Sequence, residues 1–375
     1  MKKILVCLVL LLATMQHTLK AQNSGSDAPS DKVEKRRGFI PIPVLYYTPD
    51  TRLGFGAAVL GYMQLQSKYD TTAYTRLSTA RLLVDYTLNK QTDQQLEWSI
   101  YTREENYLLR GELRHRKYVD RFYGIGNQTV AENDEKYEYE LVNARLGALK
   151  KAGRHTFAGL DFQFTNYYNL ELFDGETSGT SILLTEQVPG YRGGFNAGVG
   201  AVFQYDSRDN VSFASSGIFL ETSAYRFGSI LGGDFDYSNY MLNFSKYVAL
   251  RPNHVLGSNT FININTGTTP LFRMAAAGGD RILRGYARNR FIDQNFAGTQ
   301  VEYRFPVYRR FGMTTFAGLG DVFEHTSDVS FSTLKYSLGA GIRYALNQEQ
   351  KLNIRADIGY GREGTNFYIV IGEAF

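Results

Sequence analysis

Cysteine is nearly missing from this chain: one of 375 residues, Cys7. It lies in an apolar run near the amino terminus, so the remainder holds neither a disulfide nor a thiolate metal site. Tryptophan is reduced to one residue and proline to eight. Few prolines leave long stretches free to carry strand ladders. An excess of charge is missing too. Removing Lys2, Lys3 and Lys20 takes 41 basic residues to 38, against 37 acidic, a balance that argues against a nucleic-acid partner. Beyond the first twenty-odd residues no apolar run reaches the length of a membrane-spanning helix. Signatures of catalysis are missing as well. His115, His155, His254 and His325 lack HExxH-type spacing, and no GxSxG elbow occurs. The five acids between Glu132 and Glu140 do not follow a calcium-loop pattern. The expectation is no enzyme, no cofactor and no metal, with His115 an inner-face residue of a basic strand.

What is present begins with Met1–Ala21. Lys2 and Lys3 precede the apolar Ile4–Ala13, and a small residue, Ala21, precedes Gln22. This reads as a cleavable signal peptide. Residues 22–38 form a polar leader, and 39–375 the folded domain. The domain is rich in tyrosine (27), phenylalanine (25) and glycine (37). Tyrosine joins an apolar ring to a wet hydroxyl, which suits a membrane interface.

Along the domain, apolar and polar residues alternate with period two in segments of about ten residues. Leu96, Trp98 and Ile100 alternate with Glu97, Ser99 and Tyr101; Leu352, Ile354, Ala356 and Ile358 alternate with Asn353, Arg355, Asp357 and Gly359. The apolar face needs a cover, which lipid supplies, while closure of the sheet removes its edges. The polar face carries Arg81, Asp85, Glu97, Arg103, Arg343, Arg355 and Asp357. The predicted fold is all-β: a transmembrane antiparallel barrel of about sixteen strands. The strands fall near 39–47, 53–64, 74–88, 94–103, 107–118, 137–150, 154–166, 195–206, 217–228, 235–248, 255–266, 297–306, 312–322, 334–346, 352–360 and 366–375. The long connections 119–136, 167–194 and 267–296 follow strands five, seven and eleven, so all three leave the same end, the extracellular one.

The last of these connections contains Leu283-Arg284-Gly285-Tyr286. Glycine permits close backbone approach, and a guanidinium withdrawn from water needs an acid. The tetrapeptide, the following Gly298–Pro306 and Phe316–Phe323, and the upstream Tyr205–Asn210 with Ser216-Gly217 resemble the Omp85 superfamily, the outer-membrane barrels of BamA, TamA and the bacterial surface antigens. The resemblance spans roughly 195–375. It implies that the long loop folds into the lumen and that Arg284 pairs with acids on the next two strands. Glu302 stands where the first acid is expected. Gly318 occupies the usual aspartate position of the second, leaving Asp321, on the opposite parity, as the weaker candidate. Phe367, Ile369, Ile371 and Phe375 resemble the terminal assembly signal of such barrels, and Pro41 and Pro43 would weaken a seam between the first and last strands. Family members usually carry POTRA domains, and too few residues precede this barrel for one, so a short form is expected.

The resemblance implies a barrel of the outer membrane, exported by its signal, serving outer-membrane biogenesis or the transport of protein or lipid. Its expected partners are outer-membrane lipid, the assembly machinery acting on the C-terminal strand, and a client or separate periplasmic protein. A homo-oligomer is compatible with the sequence. A passive small-solute pore and a structural surface-antigen barrel remain open beside this reading.

Overall fold

The computed structural model describes residues 37–48, 52–65, 75–172, 181–211, 213–347 and 352–375. The signal segment and leader residues 22–36 lie outside them. Arg37 and Gly38, grouped with the leader by sequence, open the first strand.

The strands are β1 (Arg37–Thr48), β2 (Arg52–Met63), β3 (Ser78–Thr87), β4 (Thr92–Tyr101), β5 (Tyr107–Phe122), β6 (Glu135–Gly153), β7 (Thr156–Leu172), β8 (Gly194–Asp206), β9 (Gly217–Phe227), β10 (Tyr237–Arg251) and β11 (His254–Gly267). Two short strands follow inside the long connection, β12 (Ala275–Ala277) and β13 (Phe291–Asp293). Then come β14 (Asn295–Tyr308), β15 (Phe311–Phe323), β16 (Lys335–Asn347), β17 (Leu352–Gly361) and β18 (Gly364–Ile371). All but β12 and β13 form one sixteen-stranded antiparallel sheet in chain order. The chain is an all-β barrel, as its alternation predicts.

Side-chain parity divides the two faces. Leu82, Leu96, Leu113, Leu146, Leu160, Leu256, Leu319, Leu338, Ile342 and Ile358 are exposed on the outer face. Ten such residues on a water-bathed surface would be an aggregation hazard, but a lipid-facing barrel requires them. Aromatic rings gather where the β14–β15 turn ends the apolar band: Tyr303 with Phe305 at 5.3 Å and Phe311 with Tyr344 at 5.1 Å.

Three sequence expectations change. β5 and β7 run four and six residues past their expected ends at 118 and 166. Their extensions carry polar and aromatic residues on both faces, so no alternation marks them. Arg103 lies in a 3-10 turn, Arg103–Glu105, between β4 and β5, and not on the inner strand face. His115 shares the parity of Leu109 and Leu113 and faces outward, with its Nδ1 2.8 Å from Gln94 Oε1.

The sheet order begins with β1 and ends with β18. These two strands lie beside each other, yet among the described residues no backbone ladder joins them. Pro41 and Pro43 share one parity of β1, so both missing N–H groups fall on one edge. The β1–β2 register runs unbroken through both positions. The missing donors therefore belong to the edge facing β18.

Candidate functional site: a loop seated on the last hairpin

The connection between β11 and β14 turns back into the barrel. Its stem is the β12–β13 ladder, Ala275 opposite Asp293 and Ala277 opposite Phe291. Ala275, Ala277, Leu283, Tyr286, Phe291, Phe296 and Val322 form one buried apolar cluster. That cluster fixes the stem, and the stem delivers the tip Leu283–Tyr286 to the inner wall.

At the tip Arg284 is fully buried. Its guanidinium lies 2.7 Å from Glu302 on β14 and 2.7 Å from Asp357 on β17, and both carboxylates are equally buried. Its remaining face covers the Phe316 ring at 3.5 Å. Such a cation is stable away from water only with its charge matched. Each acid has further partners. Glu302 takes Arg304 at 2.7 Å and Arg343 at 3.8 Å; Asp357 takes Arg355 at 2.8 Å and also Arg343. Arg355 reaches Asp280 of the loop at 2.6 Å. Arg343 binds Glu373 at 2.9 Å, and Arg304 donates to the terminal oxygen of Phe375 at 3.1 Å. One charge network thus runs from the loop to the segment after β18.

The tip backbone is held just as closely. Gly285 has φ +125° and packs against Tyr360 and Gly361, while a Cβ on Gly359 would lie 2.5 Å from the Arg284 carbonyl carbon. Only backbone fits between the two segments. Gly285 N–H donates to the Tyr368 hydroxyl (3.1 Å), which donates to the Tyr286 carbonyl (2.8 Å). Asn366 donates to the Gly285 carbonyl (2.7 Å), Ser337 to the Arg284 carbonyl, and the Tyr286 hydroxyl to the Tyr336 carbonyl (3.0 Å). A second arginine, Arg290, grips Glu363 in the β17–β18 turn at 2.5 Å and donates to Thr129. Nearly all these partners lie on β14–β18, with most on the final hairpin.

Of the residues singled out by sequence, Leu283, Arg284, Gly285, Tyr286 and Glu302 meet here. Asp321 does not. It stands at the end of β15, where Lys335 takes it at 2.6 Å. The second acid comes from β17 as Asp357, whose inward parity beside Arg355 was visible in the sequence. Arg290, Tyr368 and Asn366 carried no such signal, since their partners are distant in sequence. Phe367 is exposed on the outer face, and Pro41 and Pro43 are exposed on β1. Ile369 shares the Phe367 parity, and Ile371 closes β18. Phe375 departs from that row. The strand ends at Ile371, Glu373 is drawn to Arg343, and Phe375 packs inward beside Tyr247, Val255 and Ala214. Among the described residues no group of His, Cys, Asp or Glu is arranged to hold a metal ion.

The family model described as the Omp85 superfamily domain matches residues 46–375. The chain belongs to the Omp85 superfamily. Solved Omp85-like barrels have the same fold at low identity. BamA from Haemophilus ducreyi, in a form lacking POTRA domains 1–3, aligns with a TM-score of 0.58 at 13% identity, over 92% of this chain and 74% of that one. CdiB from Escherichia coli gives 0.57 at 11%, over 90% and 62%; CdiB from Acinetobacter baumannii gives 0.54 at 10%, over 90% and 59%. This chain thus spans about three fifths of either CdiB. No curated protein matches it. As an Omp85 barrel it is an outer-membrane protein of a family serving protein assembly or secretion.

Proposed function

We propose that this Omp85 barrel acts in outer-membrane biogenesis, or in moving protein or lipid into or across the outer membrane, by opening between β1 and β18. One observation carries the reading: the Arg284 loop is clamped to the β17–β18 hairpin, one bank of a seam across which no ladder runs among the described residues. Docking of the loop holds β18 in place; its release frees an edge whose N–H and C=O groups can pair with an incoming strand. Pro41 and Pro43 keep the opposing edge short of donors. Arg284, Glu302 and Asp357 form the lock, and the chain acts on its client without catalysis. The client comes from the envelope or through a separate periplasmic protein, with the C-terminal strand the part that the assembly machinery engages during insertion.

The test is a disulfide across the seam. The sequence has only Cys7, so paired cysteines on β1 and β18 report without competition. Oxidation is expected to abolish function in cells and reduction to restore it. Full growth and an intact envelope with the crosslink complete would overturn the seam mechanism.

A further inference from the structure

Away from the lock, on the opposite wall, a cavity of about 320 Å³ opens between the loop base and β6–β11. It lies within the range of small-ligand pockets. Its polar lining comes from Arg145, Gln163, Asn239, Asn263, Asn265 and Arg273, and no carboxylate lines it. The two arginines differ. Arg145 is neutralised by Asp161 at 2.9 Å. Arg273 has no acid partner among the described residues. Its guanidinium donates to Gln163 at 2.5 Å and lies 5.2 Å from the centre of the Phe227 ring. Its position is fixed: Arg273 N–H donates to the Pro270 carbonyl, Phe272 stacks on Tyr167 at 4.0 Å, and Asn265 ties the loop base through the Gln294 carbonyl. A preorganised cation facing a polar cavity without a counterion is half of a charge-assisted contact.

The amides supply the rest. Asn239 Nδ2 donates to Asn263 Oδ1 (2.6 Å) and to Asn265 Oδ1 (2.8 Å). That leaves Asn239 an acceptor oxygen and Asn263 a donor nitrogen, on two residues that line the cavity. A pair of hydroxyls meets both. Met241, Phe272 and Met274 with the rings of Tyr225 and Tyr237 complete the lining, and their apolar surface suits the C–H face of a sugar ring. An extended peptide is a poor fit, because the β10–β11 and β6–β7 backbones are already paired in their ladders and offer no edge.

We infer that this cavity binds a small anionic sugar, a sugar acid or sugar phosphate, with its anion on Arg273 and its hydroxyls on Asn239 and Asn263. The sugar is free outside the cell or part of an envelope glycolipid. The site is independent of the seam mechanism.

Calorimetric titration of the detergent-solubilised full chain tests it with glucuronate, glucose 6-phosphate, glucose, acetate and an N-acetyl dipeptide as probes. Glucuronate and glucose 6-phosphate are expected to bind at least tenfold tighter than glucose or acetate. Arg273→Gln should remove that preference, and Asn263→Leu should weaken all three sugars. No binding of the anionic sugars, binding equal to glucose, or tighter binding of the dipeptide would overturn the assignment; the probe series on the unaltered protein decides this even if a variant folds poorly. A soluble-probe response that vanishes when the glucuronate is presented on a vesicle-anchored glycolipid identifies the free sugar as the source; retention identifies the glycolipid.

Discussion

Glu302→Gln and Arg284→Met remove opposite halves of the same buried pair, yet they should differ in kind. Arg284→Met leaves every acid paired: Glu302 keeps Arg304 and Arg343, and Asp357 keeps Arg343 and Arg355. What is lost is two charge-assisted hydrogen bonds, about 1.5–3 kcal/mol each, and the contact with Phe316; the desolvation cost of burying the guanidinium, which Met does not carry, offsets part of this and leaves roughly 2–3 kcal/mol. That loss falls on loop docking. Glu302→Gln instead takes the carboxylate from three guanidinia. Arg304 then loses its partner carboxylate in the wall and keeps the terminal oxygen of Phe375 at 3.1 Å and the Phe213, Tyr247 and Phe375 rings. Removing one partner of a buried pair costs about 3–5 kcal/mol, and here the loss falls on the barrel wall. Limited trypsinolysis at Arg281 and Arg288, which flank the tip, reads the first effect. Where loop opening is fast relative to cleavage, the rate follows the open population, so Arg284→Met should be cut about 30- to 150-fold faster, at 1.4 kcal/mol per tenfold. Its barrel unfolding temperature should hardly change. Glu302→Gln should lower that temperature. Equal thermal loss in both variants, or a loop that stays uncut in Arg284→Met, would refute the division of roles.

Gly359→Val places a side chain where the Arg284 backbone lies, so the loop should be cut as readily as in Arg284→Met although every charge is kept. Tyr368→Phe removes the hydroxyl bridging Gly285 and Tyr286; a loss of about 1–3 kcal/mol in docking is expected, read as intermediate cleavage. Asp321→Asn breaks the contact with Lys335 and should leave loop cleavage unchanged, while amide exchange rises at the outer ends of β15 and β16. In planar bilayers the unaltered barrel should show small currents and Arg284→Met frequent large openings; a large steady conductance identical in both would favour a passive pore.

The barrel was legible because lipid on one side and water on the other impose period two. Ile354–Gly359 shows this: Ile354, Ala356 and Ile358 face out, and Arg355 and Asp357 face in. The pattern fades where both faces meet polar groups, which is why the outer ends of β5 and β7 escaped it. Arg284 and Glu302 were legible through the motif and the strand after it. The second acid was not, because a lumen brings together strands far apart in sequence: Arg284 and Asp357 are 73 positions apart, and parity places Asp357 inward without saying which cation it meets. Asp321 failed for a local reason, since the strand ends there and Lys335 is closer. The inward turn of Phe375 follows from Arg343 and Asn353 capturing Glu373, a contact that alternation along β18 does not encode.

The weakness of the seam can be measured without any variant. Amide hydrogen exchange of the barrel in lipid nanodiscs compares β1 and β18 with β10 and β11, which pair with neighbours on both sides. Fast exchange on the facing edges of β1 and β18, against slow exchange through β10 and β11, is the expected result. Protection of β1 and β18 equal to that of the central ladders would mean a zipped seam and would contradict opening there.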